Sequence, residues 1–257
     1  MRWRPKIQRG YALKLFPFSI DVTNTRFLII GGGRVAAGKI SRLTAFTDRI
    51  TVVAPETEES VLRLSDEGRL KYVRRDFLDS DLDGCDFVIA ATDDRTLNRH
   101  VSEICRQRHI PVNAVDDPEN CTFFFPAIIR KGHLTVSIST DGTSPACAAW
   151  LKREIGRVIP ENIDEVLDIM QEVRATFPGK HPDFDQKQRA AVYRQLLTEL
   201  LAAERMPGPE ETERMIEEIC AETCDETEKR SEEQLIRYGK DSDTPGLSAS
   251  AKSAHRR

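Results

Sequence analysis

The sequence has no long hydrophobic run and no paired-cysteine motif. None of its apolar stretches approaches the roughly 20 residues of a membrane-spanning helix. The amino-terminal stretch MRWRPKIQRGYALKLF lacks the apolar core of a signal peptide. The six cysteines form no C-x-x-C pair and no zinc-type spacing with histidine. We therefore expect reduced thiols, no metal site, no membrane contact and a cytoplasmic location.

A strong excess of charge of one sign is also absent. The 38 basic and 42 acidic residues give a net charge of -4, whereas binding of nucleic acid usually needs a strongly basic face. Hydrophobic residues make up 39% of the sequence, enough for a modest core, and charged residues make up 31%, which gives a well-hydrated surface. A soluble chain of this length, without nucleic acid as a partner, is expected to form two or three compact units.

Short apolar runs alternate with helix-compatible stretches over the first half of the chain. The apolar runs predict strands at residues 27–30, 49–54, 70–77, 86–92 and 111–115. The stretches between them predict helices at residues 35–45, 58–67 and 96–108. Because nearly continuous apolar strands interleaved with helices are typical of a parallel sheet covered on both faces, the pattern predicts a doubly wound α/β unit.

The pattern changes after Asp116. Two strand-like segments surround Lys131-Gly132, which predicts a hairpin, and a helix follows from Pro145. Helical spacing continues between 162 and 205, with a predicted break at 177–184. An acidic, weakly amphipathic helix with a solvated charged face is predicted after a Pro-Gly-Pro break, and a small, polar tail should be disordered.

The stretch FLIIGGGRVAAGKI places glycines between a strand and a helix. Gly31, Gly33 and Ala36 fit the G-x-G-x-x-A pattern of dinucleotide-binding sites. The first glycine permits a tight turn, the second lets the backbone approach a pyrophosphate, and the small third residue lets helix and strand pack. The first helical residues, including Arg34 and Val35, would then face the phosphates with free N–H groups. The corner predicts a cofactor site.

Two further strand ends would complete this cofactor site. The second strand is followed by Pro55 and Glu56, where an acid usually binds the ribose hydroxyls. We expect no arginine at the end of that strand to bind a 2′-phosphate, which favours NAD over NADP. Thr92 and Asp93 follow the fourth strand and are candidates for cofactor contact, with a helix N-cap at Thr92 to Asp94 as the alternative.

Six motifs then occur in one order: GGGRVAAGK, TVVAPE, AATDD, VNAVDDP, FFFPAIIRKG and STDGTSPA. With them the chain resembles the precorrin-2 dehydrogenase and sirohydrochlorin ferrochelatase family, which includes the amino-terminal half of siroheme synthase. The resemblance runs from about Arg26 to Leu151, and more loosely to about Arg205.

The resemblance implies a Rossmann-type doubly wound parallel sheet, a small α+β dimerisation region and a C-terminal helical domain, assembled as a homodimer. The expected bounds are 1–115 for the NAD-binding domain, 116–150 for the dimerisation region, 151–238 for the helical domain and 239–257 for a disordered tail.

The resemblance also implies an activity. This is the NAD-dependent oxidation of precorrin-2 to sirohydrochlorin in siroheme biosynthesis, with insertion of ferrous iron, or of cobalt, in some members. The family's catalytic aspartate falls on Asp116, in the segment that begins at Asn113, a candidate for substrate contact. A carboxylate at the carboxyl edge of the sheet is suitably placed as a general base. The alternative is that Asp116 and Asp117 only cap the turn before Pro118.

The STDGTSPA segment is the second candidate for substrate contact. It offers hydroxyls and N–H groups at the start of the following helix, from Ser139, Thr140, Thr143 and Ser144. Such a turn suits the eight acidic side arms of precorrin-2, although it also reads as an ordinary N-cap before Pro145. Asp141 and Thr143 depart from the usual family text, and Asp141 would repel the acids of the substrate.

A function of another class stays open on the sequence alone. The same Rossmann pattern is found in non-catalytic, NAD-sensing binding modules. Asp116 discriminates between the two, because a sensor should tolerate its loss and an enzyme should not.

Overall fold

The computed structural model describes residues 15–224. The chain divides into two compact units, of which the first ends at Pro126 and the second begins at Ala127. The predicted tail and the distal part of the predicted acidic helix lie outside the described residues.

The first unit contains the predicted parallel sheet. Its strands are β1 Phe27–Ile30, β2 Ile50–Val53, β3 Lys71–Val73, β4 Phe87–Ala90 and β5 Val112–Ala114. All pairs are parallel, and the order is β3-β2-β1-β4-β5. The doubly wound parallel sheet predicted from the alternation of elements is therefore confirmed, and its strand order is of the Rossmann type that the resemblance implies.

Helices cover both faces of this sheet. They are α1 Arg34–Leu43, α2 Glu59–Asp66 and α3 Arg95–Gln107. The central strand β1 is fully buried and alternates between two cores. Phe27 and Ile29 pack with α1 and α2 on one face, while Leu28 and Ile30 pack with α3 on the other. This is why four apolar residues in a row form a strand here.

The predicted third strand was too long. It ends at Val73, because the N–H of Arg75 bonds back to the carbonyl of Val73 at 3.1 Å. The guanidinium of Arg75 also pairs with the nearly buried Asp81 carboxylate. This pair stabilises a turn at residues 74–77, which had been predicted as the end of the strand.

The chain beyond β5 remains packed on the first unit up to Pro126. Thr122 and Val112 bond reciprocally, with the N–H of Val112 donating to the Thr122 hydroxyl at 2.7 Å and the N–H of Thr122 donating to the Val112 carbonyl at 2.8 Å. Phe123 and Phe125 then pack on the core beneath α1. This first unit thus includes residues beyond the expected boundary at 115.

The second unit begins with the predicted hairpin. Strands β6 Ala127–Lys131 and β7 Leu134–Ile138 pair antiparallel, with Lys131 opposite Leu134. The two turn residues are therefore Gly132 and His133, one position later than predicted. Gly132 has φ +49°, the left-handed conformation that such a turn requires. Helix α4 Pro145–Val158 packs on this hairpin through Ala148.

Helices form the rest of the second unit. They are α5 Ile163–Lys180, α6 Gln186–Ala202 and a helical stretch at 209–224. The predicted break at 177–184 was placed too early, because α5 continues through Pro178 to Lys180. Pro178 lacks the N–H that would bond to the carbonyl of residue 174, and the helix ends two residues after it.

The acidic stretch has the predicted amphipathic character. At 209–224 the acidic side chains of Glu213, Glu217 and Glu218 are exposed. Ile216 and Ile219 are buried against α5 and α6, so this helix contributes to the helical core. Within residues 15–224 no helix is both long and apolar enough to span a membrane.

Candidate functional site

The glycine corner, Gly31 to Gly33, joins β1 to α1 at the carboxyl edge of the sheet. Gly31 has φ +109°, and a Cβ there would lie 2.3 Å from the carbonyl oxygen of Ala91. A Cβ on Gly32 would lie 2.1 Å from the carbonyl oxygen of Glu56. Both positions therefore require glycine, the first for its conformation and both for space.

Gly33 differs because the space over it is open. Among the residues that the structure describes, no atom lies within 4 Å of a Cβ built on Gly33, and α1 begins there without a side-chain cap. Arg34 and Val35, both exposed, open the first turn, whose N–H groups lack intrahelical partners. Ala36 is fully buried between helix and sheet. An uncapped helix end over a residue without a side chain fits a pyrophosphate group.

The end of β2 is tied to the glycine corner. The carbonyl of Gly32 accepts from the N–H of Glu58 at 3.0 Å and from the Thr57 hydroxyl at 3.1 Å. This holds Pro55 and Glu56, both exposed, beside the corner where a ribose is expected. An arginine that directly follows the neighbouring strand β3 also reaches this edge, because Nε of Arg74 donates to the Pro55 carbonyl at 3.3 Å. The expectation that no arginine stands here was wrong for this reason.

The end of β4 separates the two interpretations of its polar residues. Asp94 is the N-cap of α3, and its carboxylate accepts from the N–H groups of Thr96 and Leu97. The Thr92 hydroxyl bonds to the side-chain oxygen of the buried Asn98 at 2.8 Å. Asp93 takes no part in the cap and is exposed. The N-cap alternative is therefore correct for Asp94, and Asp93 stays a candidate for cofactor contact.

The end of β5 is held by a buried amide. Asn113 is 5% exposed, and its oxygen accepts from Nζ of Lys39 on α1 at 2.8 Å. Its nitrogen donates to the Phe123 carbonyl at 2.9 Å. Because the amide is used inside the protein, the geometry favours positioning of β5 over direct substrate contact by Asn113.

Two consecutive aspartates follow β5 and differ in their surroundings. Asp117 is half-buried, and its Oδ2 accepts from Nδ2 of Asn120 at 2.6 Å. Asp116 is exposed, has φ +59°, and no donor among residues 15–224 bonds to its carboxylate. A non-glycine residue in the left-handed region is uncommon and is often found at functional sites. The structure therefore uses Asp117 to stabilise the turn and leaves Asp116 available for chemistry.

The half-buried thiol of Cys121 lies against the same turn. Its sulfur bonds to both the N–H and the carbonyl of Ala114, at 3.2 Å and 3.1 Å. Burial raises the pKa of the Cys121 thiol, so it stays protonated as a donor. The thiol fixes the chain on either side of Asp116.

These strand ends meet at the point where the strand order of the sheet reverses. The chain leaves β1 towards β2 on one side and returns to β4 on the other, so the carboxyl ends of β1 and β4 border a crevice. Ligands of open α/β sheets bind in that crevice. The glycine corner, Glu56, Asp93 and Asp116 all follow strands at this edge.

The second predicted substrate segment lies in the other unit. Ser144 is the N-cap of α4 and accepts from the N–H of Cys147 at 3.2 Å, as the N-cap alternative predicts. The Thr140 hydroxyl bonds to the backbone of Ser144. Thr143 is exposed, and Ser139 bonds to the N–H of Asp141 at 3.2 Å. Of the four hydroxyls, that of Thr143 is least committed.

Sequence reasoning missed three residues of this site. Gly32 was not singled out, although a third consecutive glycine is itself a signal of close packing. Asn98 bonds to Thr92, six residues earlier, and Lys39 bonds to Asn113, which is 74 residues away in the chain. In the described part of the chain no group of three or more metal-ligating side chains comes together.

Comparisons with known proteins agree with this architecture. A model described as putative NAD(P)-binding matches residues 18–127, and a model described as the central part of the siroheme biosynthesis protein matches residues 131–157. A siroheme synthase of Thioalkalivibrio sulfidiphilus is 37% identical over 177 residues, and one of Pseudomonas fluorescens strain SBW25 is 32% identical over 206 residues. The predicted family resemblance is confirmed.

The extent of the likeness differs between relatives. The two siroheme synthase alignments cover 69% and 79% of this chain but only 36% and 44% of those proteins. The chain therefore spans less than half of the siroheme synthases that it matches. A solved structure of SirC, a precorrin-2 dehydrogenase, shares the fold with a TM-score of 0.62 at 23% identity, covering 80% of this chain and 98% of that one.

Proposed function

We propose that the chain catalyses the NAD-dependent oxidation of precorrin-2 to sirohydrochlorin. The observation that carries the proposal is the Asp116 carboxylate, which has no bonded donor in residues 15–224 and follows β5 at the same sheet edge as the glycine corner. The likeness to siroheme synthases and to a precorrin-2 dehydrogenase supports the choice of reaction.

Each part of the site has a role in this reaction. Precorrin-2 loses a hydride and a proton, and NAD supplies the hydride acceptor when it is bound. The start of α1 over Gly33 would hold the pyrophosphate, and Glu56 would bind the ribose hydroxyls. The carboxylate of Asp116 would accept the proton as general base.

The segment at Ser139–Ser144 is proposed to bind the acidic side arms of the tetrapyrrole. The Thr143 hydroxyl and the first N–H groups of α4 are suitable donors to carboxylates. Asp141 opposes this binding with its own negative charge, which should weaken and not abolish it.

The proposal includes a homodimer in the cytoplasm. The expected dimerisation region is the central segment 116–150, and its hairpin and α4 leave the Trp150 side chain 51% exposed. All six thiols are free, as suits a reducing compartment. Sedimentation of the purified protein tests the assembly.

A direct assay tests the activity. Purified protein given precorrin-2 and NAD should produce sirohydrochlorin and NADH in equal amounts. If the folded protein binds NAD but forms no NADH, the proposed reaction is wrong and the chain acts as an NAD-sensing module. Metal insertion is a separate question, measured with supplied sirohydrochlorin and ferrous iron or cobalt in the absence of NAD.

A further inference from the structure

Lys39 has a half-buried side chain, and the proposed reaction does not explain it. It lies on α1, six residues after Gly33, and its Nζ donates to the Asn113 oxygen at 2.8 Å. The same ammonium lies over the ring of Phe125, 4.5 Å from its centre. Two contacts from two chain segments hold this side chain in one place.

The Asn113 amide links Lys39 to the turn that carries Asp116. Its nitrogen bonds to the Phe123 carbonyl at 2.9 Å and approaches the Cys121 sulfur at 3.6 Å. Cys121 in turn bonds to Ala114 and to the Asp117 carbonyl. The contacts therefore form a continuous chain from α1, through Asn113 and Cys121, to both sides of Asp116.

A positive charge on the half-buried Lys39 side chain costs free energy of desolvation, which indicates that the charge has a function. Burial lowers the pKa of Lys39, and the neighbouring charge of Arg42 lowers it further, while Cys121 and Asp116 act in the opposite direction. An apolar side chain of similar length would pack beside Phe125 without this cost. Structural packing alone therefore does not account for a lysine.

We infer that Lys39 is a positioning residue for Asp116, holding the turn after β5 in its left-handed conformation through Asn113 so that the carboxylate faces the substrate. The inference rests on the proposed function. It connects the helix that would hold the pyrophosphate to the residue that would take the proton.

The test compares Lys39→Met and Lys39→Arg with Arg42→Met, which removes an exposed charge of the same sign from the same helix. For Lys39→Met we expect kcat to fall by about 10- to 100-fold with the Kd for NAD changed less than about threefold, because only Asp116 is displaced. Lys39→Arg should restore most of kcat, since a guanidinium can also donate to Asn113. Arg42→Met should behave as the wild type.

A double-mutant cycle shows whether Lys39 acts through Asn113. Asn113→Ala should lower kcat by a similar factor, and the double variant should be little worse than either single one. Additive losses, or a loss of NAD binding that matches the loss of kcat, would overturn the inference. Melting temperatures of all variants identify any that fail to fold, and for these the Arg variant decides the outcome.

The outcome also separates this inference from the function on which it rests. If the wild type produces no NADH, both the proposed function and the positioning role of Lys39 are wrong. A wild type that turns over, together with a Lys39→Met variant of unchanged kcat, removes the positioning role and leaves the proposed function intact.

Discussion

Asp116 and Asp117 are adjacent, but within residues 15–224 only the Asp117 carboxylate accepts a side-chain hydrogen bond, from Asn120 at 2.6 Å. This difference predicts opposite effects for two matched variants. Asp116→Asn should lower kcat by about 10²- to 10⁴-fold, the range of general base catalysis, and leave the Kd for NAD unchanged. Asp117→Asn keeps an oxygen for Asn120 and should retain most activity. Steady-state kinetics and NAD titration measure both, and equal losses in the two variants would contradict the assignment of the base.

The glycine corner predicts a separation of stability from cofactor binding. Gly31→Ala forces a side chain into φ +109° and against the Ala91 carbonyl, which should cost about 1 to 3 kcal/mol of unfolding free energy or more. The added methyl group of Gly33→Ala would contact no neighbour in the part of the chain that the structure describes, so the stability of this variant without ligand should stay close to wild type. Its methyl group would lie where the pyrophosphate is expected, and NAD binding should weaken about tenfold or more. Thermal denaturation and NAD titration of both variants check this, and tight NAD binding by Gly33→Ala would place the phosphates elsewhere.

Glu56 and Arg74 together predict the cofactor preference. A free carboxylate beside the ribose should favour the hydroxyl of NAD and repel a 2′-phosphate, while Arg74 is already bonded to Pro55. Glu56→Gln should reduce the NAD over NADP ratio of kcat/KM by about 3- to 10-fold, the effect of one partly screened charge. Glu58→Gln, an exposed change two residues further on, is the control. An unchanged ratio in Glu56→Gln would exclude a ribose contact by this side chain.

Asp141 predicts an effect of charge on substrate affinity. Its carboxylate lies in the segment proposed to bind the acidic arms, so Asp141→Asn should lower the KM for precorrin-2 by about threefold, a value typical of one screened charge. The gain should shrink in high salt. Asp141→Gly relieves φ +49° as well, so a difference between the Gly and Asn variants would measure the backbone contribution. A KM that does not respond to either variant argues against substrate contact by this segment.

The thiols predict a pattern of chemical labelling. Burial raises the pKa of Cys105 from its ordinary value of 9.0 to about 12, with a smaller contribution from Cys85. The folded state therefore holds Cys105 as a neutral thiol, and this contribution to stability is complete below pH 9.0 and is lost as the pH rises towards about 12. At pH 8 iodoacetamide should modify the exposed Cys147 and Cys224 in the native protein, and Cys105 only after denaturation. Mass spectrometry of peptides measures the pattern, which labelling of native Cys105 would contradict.

The sheet was predictable because its strands are buried on both faces. A run such as Phe27 to Ile30 is apolar at every position, and few other structures accommodate that. Edge strand β3 was predicted to continue to Phe77, and the sequence does not show that the charged residues after Val73 form a turn in which Arg75 pairs with Asp81. The local sequence pattern thus predicts that a strand exists, whereas the residue at which the strand ends depends on contacts with residues elsewhere in the chain.

The site was predictable only where its residues are close in the chain. Gly31, Gly33 and Ala36 lie within six residues and could be read directly. Lys39 and Asn113 are 74 residues apart, and neither shows its partner in the sequence. Arg74 reaches the end of β2 from the residue after β3, so a search along β2 alone misses it.

The bonds from Thr57 and Glu58 to the Gly32 carbonyl also limit how this protein can be re-engineered. The loop after β2 would select between NAD and NADP at the ribose, and the glycine corner would hold the pyrophosphate that both cofactors share. The Gly32 carbonyl oxygen bonds these two loops together. Inserting or deleting residues in one loop would displace the other, so a change of cofactor preference has to come from side-chain substitution on an unaltered main chain.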